Sequence, residues 1–230
     1  MKFSVIIATH NEGYHIGSFL KRLRQISRPE PLELIVVDGG SEDDTADQAR
    51  AWADQVLVHQ RPNRGEQLHL GAQKAAGNML LFLRGDAQLP GNWRQALEHF
   101  WLAPGLSQVA ATVFTVEFGA SRPFRLASWL VNAEARWRGL ADLRHGLCTT
   151  ADIYRHSGGF PPVPCLEGRA FCARLRPLGR IAVLPERVWP SASRLHRYGL
   201  LGCLRRRLWL ELRLKLGAAP ERLWQDGCAS

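Results

Sequence analysis

Two apolar runs constrain this chain more than anything else in it: Phe3-Ser-Val-Ile-Ile-Ala-Thr-His-Asn-Glu12 and Leu32-Glu-Leu-Ile-Val-Val-Asp-Gly-Gly-Ser41. Each stays apolar for five or six residues and then stops on polar and acidic groups. Strands buried on both faces of a parallel sheet read this way. The abrupt polar ending marks an open sheet edge. Ligands of open α/β sheets bind at the carboxyl ends of strands, which makes Glu12 and Asp38 candidate site residues.

The first hundred residues continue the alternation. Lys2–Ala8 is expected as strand one, and Leu32–Val37 as strand two. Between them Ile16, Phe19, Leu20 and Leu23 recur at helical spacing over Tyr14–Gln25, until Arg28-Pro29 and Pro31 break the helix. Ser41-Glu-Asp-Asp44 predicts a capping box for a helix over Asp43–Trp52. A short strand Gln55–His59, a helix Glu66–Ala76 ended by Gly77, a strand Met79–Leu83 and a helix from Pro90-Gly91 through Phe100 follow. Strands alternating with helices predict an α/β fold with a mostly parallel central sheet flanked by helices.

The second half is less regular. A strand is expected over Val109–Phe118, helices over Phe124–Arg138 and Leu166–Leu178, and a strand over Ile181–Leu184. In the tail, Leu208, Leu210, Leu212, Leu214 and Leu216 alternate as in a strand. The leucine, arginine and glutamate around them are helix formers, and a helix over Tyr198–Leu216 is favoured. No repeat or linker interrupts the chain, so 1–230 is read as one domain: a regular half 1–100, a less regular half 101–197 and a basic helical tail 198–230.

Charge separates the halves. Residues 1–118 hold 11 Lys+Arg against 13 Asp+Glu, and residues 119–230 hold 19 against 8, so the formal net charge of +9 comes from the second half. Such a half suits an anionic partner or is simply a solvated arginine-rich surface. Five cysteines without C-x-x-C spacing suggest reduced thiols rather than a disulfide framework or a zinc site. No apolar stretch reaches membrane-span length, and the amino terminus lacks signal-peptide character, so a cytoplasmic location is expected.

Three acids now fall at strand ends: Glu12 after strand one, Asp38 after strand two and Asp86 after strand four, with Thr9 and Asn11 beside them. Converging carboxylates repel unless a cation or hydrogen-bond donors answer them. A nucleoside diphosphate with a divalent metal supplies both. Alternatively, Asp38-Gly-Gly only starts the turn into the Ser41 cap, a reading that leaves Asp86 unexplained. Neither G-x-G-x-x-G nor G-x-x-x-x-G-K-[ST] occurs, which excludes the common dinucleotide and P-loop signatures.

The segments S-V-I-I-A-T-H-N-E, L-I-V-V-D-G-G-S-E-D-D-T, N-R-G-E-Q-L-H-L-G-A and L-L-F-L-R-G-D-A-Q-L-P, in this order, resemble a family 2 glycosyltransferase of the GT-A, Rossmann-like fold. Among its subgroups the resemblance is to the radical SAM/selenodomain-associated, or arsenosugar-biosynthesis, glycosyltransferases. It implies a nucleotide-diphosphate sugar donor across the strand ends, with Thr9, Asn11 and Glu12 at the nucleoside, Asp38 at the base, Arg64 near the diphosphate and Arg194 downstream. Asp86 would touch Mg²⁺ or Mn²⁺. The implied reaction is inverting transfer to an acceptor hydroxyl, with an acid at the start of a helix as base.

At that helix the family's E-D pair reads Glu167-Gly168, with Arg169 placed to lower the pKa of Glu167. Upstream, Arg144 and His145 stand where the subgroup carries an acid and an amide. Three readings follow: a different, anionic acceptor with His145 or Glu167 as base; a protein that binds donor and transfers poorly; or Glu167 as a simple first-turn helix acid. The basic half suits an anionic or membrane-associated acceptor, with Leu208, Trp209 and Leu212 beside Arg205–Arg207 resting on the inner membrane as a peripheral contact. A nucleotide-sugar-binding module acting on a partner is the alternative from another class. No nucleic-acid motif is present, and no nucleic-acid partner is expected.

Overall fold

Alternate residues of a strand face opposite sides of its sheet, and here both sides are covered. Val5, Ile7, Leu34, Val36, Leu81 and Leu83 pack one way, and Ile6, Ala8, Ile35, Val37, Leu80 and Phe82 the other. That double burial explains the unbroken apolar runs. A computed structural model describes residues 1–105, 108–217 and 223. Seven strands, β1 (Phe3–Thr9), β2 (Glu33–Asp38), β3 (Gln55–Val58), β4 (Met79–Arg84), β5 (Val109–Val116), β6 (Leu147–Thr150) and β7 (Arg180–Val188), form one sheet in the order β3-β2-β1-β4-β6-β5-β7. The expected mostly parallel α/β sheet is present.

The helices are α1 (Gly13–Ile26), α2 (Thr45–Arg50), α3 (Arg64–Lys74), α4 (Trp93–Leu102), α5 (Arg122–Arg138), α6 (Ala151–His156), α7 (Glu167–Leu175) and α8 (Ser193–Lys215). One layer is built on Ile16, Leu20 and Leu23 of α1 with Trp93 and Leu97 of α4, where the Trp93 and Phe3 rings meet edge to face at 5.4 Å. The other holds Leu68, Tyr154, Phe160 and Phe171, all but Leu68 packed against the Phe82 ring.

Residues 139–156 carry no element in the sequence reading, yet they hold β6 and α6. β6 is antiparallel to both β4 and β5. Two reversals restore direction, so β5 and β7 point the same way as β1, β2 and β4. Their carboxyl ends therefore share one edge of the sheet. Only four residues long and preceded by a 3-10 turn at Leu143–His145, β6 gives little periodic signal.

The predicted capping box does not form. Ser41 turns back to Asp38, and α2 begins only at Thr45, whose backbone N–H is taken by Asp43 Oδ1 at 3.0 Å. The tail is helical as expected, but longer: α8 starts at Ser193 and breaks at Gly199, which has φ 64° and ψ 175°. Across the sheet edge, Gln88 and Trp189 exchange two backbone hydrogen bonds, at 2.9 and 3.0 Å. They tie the loop after β4 to the end of β7.

Candidate donor site and catalytic edge

Sheet register sets the site. Thr9 pairs with Asp38 across β1 and β2, and Ala8 with Arg84 across β1 and β4, so these ends lie level with one another. Gln67 of α3 locks the first pair: its Nε2 donates to Thr9 O at 2.9 Å and to Val37 O at 2.7 Å. Nothing in the sequence singles out Gln67, a polar residue on a helix with mixed faces.

Asp38 is buried, and its carboxylate is used by its own loop. Oδ2 accepts from the N–H of Gly40 (3.1 Å) and Ser41 (2.8 Å), Oδ1 accepts from Ser41 Oγ, and Thr9 Oγ1 stands 3.5 Å away. The turn-forming reading of Asp38-Gly-Gly is thus realised, without the helix cap. Asn11, at φ 52°, joins the same loop: its N–H donates to Ser41 Oγ, and its Oδ1 accepts from Glu42 N–H at 2.9 Å.

Glu12 differs. Its backbone is tied to Thr45 Oγ1 at 2.8 Å, but its Oε2 is buried without a hydrogen bond. Burial is the largest influence on this carboxyl and raises its pKa above the usual range. The Arg64 and Arg84 guanidiniums pull it back, while the Asp86 charge adds to the rise. With Arg64, Arg84, Gly85 and Leu143, Glu12 closes around a pocket of about 10 Å³, room for about one water. Gly85 leaves room for the Glu12 carboxylate, since a Cβ would come within 2.6 Å of Glu12 Oε2 and displace it.

Asp86 does not stand alone. Arg84 grips it with both arms of its fork, Nε to Oδ1 and Nη2 to Oδ2, each at 2.9 Å. Burial opposes the Asp86 charge, but Arg84 and then Arg64 outweigh it and hold the carboxyl below its ordinary value. In return Asp86 raises the pKa of Arg84 against burial, with Glu12 and Glu167 contributing. Among the described residues no group of three or more His, Cys, Asp or Glu could hold a metal ion. A divalent ion held by Asp86 would have to take its remaining ligands from substrate phosphates and water, a donor set that would suit Mg²⁺ or Mn²⁺.

Beyond β4 lies the Leu143–His145 turn. Asp142 accepts from Arg144 Nε at 2.8 Å and from Arg144 N–H at 2.9 Å, and His145 Nδ1 lies 3.5 Å from its Oδ1. Burial opposes the Asp142 charge, yet Arg144 and His145 keep its carboxyl well below the usual range. His145 is 2 % exposed and its Nε2 has no hydrogen-bond partner. As an acceptor base it is sealed from solvent.

Glu167 opens α7 and is 6 % exposed. The expectation that Arg169 presses on it is overturned: residues two apart diverge on a helix, and Arg169 instead pairs with Glu134 at 2.8 Å and Glu211 at 3.2 Å. The Glu167 charge is instead among those that act on Arg84. Gly168 also has a steric reason, because a Cβ there would meet the Asp142 Cα at 2.8 Å. The side chain of Arg194 lies outside the described residues. Arg84 and Asp142 are the site-edge charges absent from the sequence-derived set; Asp142, like Arg144, which the sequence singles out only as a substitution, sits in the segment to which that reading assigns no element.

Past Arg144, whose guanidinium lies 5.6 Å from the Phe118 ring centre, a cleft of about 610 Å³ opens. Phe118, Pro123, Phe124, Leu195, His196 and Leu200 are among its walls. Along one edge the order is thus the β2–β1 loops, the Arg84–Asp86 pair, the 142–145 turn and the cleft.

Known proteins resemble this chain in sequence and in fold. The chain is 29% identical over 167 residues to a PGL/p-HBAD biosynthesis glycosyltransferase of Mycobacterium bovis (strain BCG / Pasteur 1173P2), covering 66% of this chain and 59% of that protein. It is 28% identical over 144 residues to an undecaprenyl-phosphate 4-deoxy-4-formamido-L-arabinose transferase of Serratia proteamaculans (strain 568), covering 59% of this chain and 41% of that one. The chain thus spans about three-fifths or less of the length of these curated relatives. Glucosyl-3-phosphoglycerate synthase from Mycobacterium tuberculosis, solved with Mn²⁺, UDP and glucosyl-3-phosphoglycerate, superposes with a TM-score of 0.65 at 20% identity, over 95% of this chain and 81% of that one. That likeness establishes the GT-A fold. The family pattern described as Glycosyl transferase family 2 matches residues 4–158, and the chain belongs to that family.

Proposed function

We propose that this protein transfers a sugar from a nucleoside-diphosphate donor to an anionic or membrane-associated acceptor, with inversion and with Mg²⁺ or Mn²⁺ as cofactor. The observation that carries the reading is the row of charges along the carboxyl edge: Glu12, Arg64 and Arg84 around one small pocket, Asp86 paired with Arg84 beside it, and Glu167 within electrostatic reach of Arg84. In this reading Thr9, Asn11, Glu12 and Asp38 frame the nucleoside side, and Arg64 meets the diphosphate. Asp86 is the protein ligand to the metal. The metal, when bound, supplies positive charge to the leaving diphosphate.

Glu167 is the proposed base, holding the proton of the acceptor hydroxyl as an in-line displacement proceeds. His145, sealed and braced by Asp142, positions the turn that carries Arg144. Residues 1–100 serve the donor, 101–197 the acceptor and 198–230 form the tail of a single unit. The motif string around Asn63–Ala72 supports the radical SAM-associated, arsenosugar-type subgroup.

On the acceptor side the cleft beside Arg144 takes the acceptor body. Membrane contact is supported by α8. Leu210 packs on Cys165 and Leu223, whereas Leu201, Leu208, Trp209, Leu212 and Leu216 are exposed at spacings that align them on one face. Arg205 lies within that stripe and Arg206 and Arg213 along one side of it, so its charge matches anionic lipid. No helix among the described residues is long and apolar enough to cross a membrane.

A second reading, a donor-binding module with weak turnover, is favoured by Gly168 in place of a second acid and by the sealed His145. Calorimetry with UDP- and GDP-sugars, with and without Mn²⁺, tests the central claim. Binding that needs Asp86 for its metal-dependent part is expected. Absence of any nucleoside-diphosphate binding overturns it. Metal-dependent donor hydrolysis unaffected by Glu167→Gln turns the assignment toward the module.

A further inference from the structure

We propose that Arg84 is the resident counter-cation of Asp86, and that a divalent metal gains Asp86 only together with a nucleoside diphosphate whose phosphate oxygens take over the Arg84 fork. The proposal rests on the donor reading above and adds how the metal site is assembled.

In this protein the carboxylate expected to bind metal is already neutralised in bidentate geometry, at 2.9 Å on both arms, with each partner 22 % exposed. A planar fork on a carboxylate is among the strongest charge-assisted arrangements available to a protein. A metal arriving alone has to break it. It then leaves a guanidinium that cannot shed its proton in a largely desolvated place beside a dication, a costly arrangement.

The other groups facing Arg84 do not remove that cost. Glu12 and Glu167 act on it only through their charge, and Arg64 and Arg144 are further cations at the same edge. A diphosphate changes the balance: its oxygens match the guanidinium fork as a carboxylate does, and they complete the coordination of a metal that Asp86 alone cannot saturate. The exchange is one of partners: Arg84 passes from carboxylate to phosphate, and Asp86 from guanidinium to metal. Nucleotide and metal therefore bind with positive coupling, which by linkage is equal in both directions.

The test reads Mn²⁺ binding directly, by the electron paramagnetic resonance signal of free Mn²⁺, without turnover. For the wild type, the expected result is weak Mn²⁺ binding alone, tightened at least tenfold by saturating UDP or GDP. Arg84→Met is expected to bind Mn²⁺ alone at least tenfold more tightly than the wild type, a gain erased by adding Asp86→Asn. If Arg84→Met fails to fold, Arg84→Lys, which keeps the charge and loses the fork, gives the same direction with a smaller rise. Equal Mn²⁺ affinity of wild type and Arg84 variants without nucleotide overturns the proposal. A wild type that binds Mn²⁺ alone as tightly as with nucleotide does so too. If neither UDP nor GDP binds under any condition the donor reading fails, while the Mn²⁺-only comparison still judges the role of Arg84.

Discussion

The two ends of one sheet edge solve the problem of charge differently. On the β2–β1–β4 side, carboxylates are matched at short range: Asp38 by its own loop, Asp86 by Arg84. Glu12 differs from both in keeping a buried carboxylate oxygen without a hydrogen bond. On the β6–β5–β7 side, Asp142 and His145 turn inward and an apolar cleft stands open beside Arg144. A pre-formed, closely paired edge suits a ligand with fixed chemistry, such as a nucleoside diphosphate. An open wall of Phe118, Phe124 and Leu195 suits a partner whose body varies.

The sharpest break of this contrast is Glu167→Gln. As a general base its loss is expected to lower kcat by about 10²–10⁴-fold with donor affinity unchanged, measured by radiolabelled sugar transfer and calorimetry in parallel. If donor affinity falls equally, Glu167 belongs to the donor edge instead. Asp86→Ala comes next in size. It leaves Arg84 buried without its partner, at a cost on the order of 2–3 kcal/mol, and removes the metal-dependent part of nucleotide binding. Urea denaturation and calorimetry read the two effects separately.

Gly168→Ala forces a methyl against the Asp142 backbone and is expected to destabilise by about 1–3 kcal/mol, read as a lower thermal midpoint. An unchanged midpoint in that variant shows that the 142–145 turn yields and that the acceptor side is the softer of the two.

Smaller, and opposite in sign on the two sides, are the pH effects. Glu12 has a raised folded pKa, so the folded state holds its proton more tightly than the unfolded chain. Stability falls as pH rises through that folded value, and Glu12→Gln is expected to be stabilising at pH 7. The gain disappears below the ordinary glutamate value near 4.5. Asp142 has a depressed pKa: its contribution is present above the ordinary value near 3.8 and is lost as pH falls through its folded value. Asp142→Asn therefore destabilises at pH 7 and loses its effect in strong acid, in the same melting series. The smallest effect on the fold is expected from Leu212→Glu on the exposed α8 face, which leaves the melting temperature unchanged and weakens sedimentation with phosphatidylglycerol vesicles. Equal binding to neutral vesicles removes the electrostatic part of the membrane reading.

The donor edge is legible in the sequence because buried parallel strands impose continuous apolar runs that end abruptly. Glu12, Asp38 and Asp86 follow from those endings alone. What the sequence hides is pairing. That Arg84 reaches two residues along the chain to Asp86, or that Ser41 turns to Asp38 instead of capping α2, depends on how the loop folds back, and neither has a periodicity. β6 escapes notice because four residues between a 3-10 turn and a short helix carry no pattern. Arg169 misleads because chain proximity is not spatial proximity: α7 aims it at Glu134 and Glu211.

The backbone exchange between Gln88 and Trp189 carries a mechanical consequence. It staples the loop that follows Asp86 to the far end of β7, across the width of the edge. The loop after Asp86 and the end of β7 are thereby held by main-chain pairing, which ties the two sides of the edge together more firmly than side-chain contacts alone would. On the proposed reading, any opening of the edge falls to segments outside this pairing, such as the part of α8 that precedes the break at Gly199. A substitution that loosens Gly199 is then expected to change the rate of product release more than donor affinity.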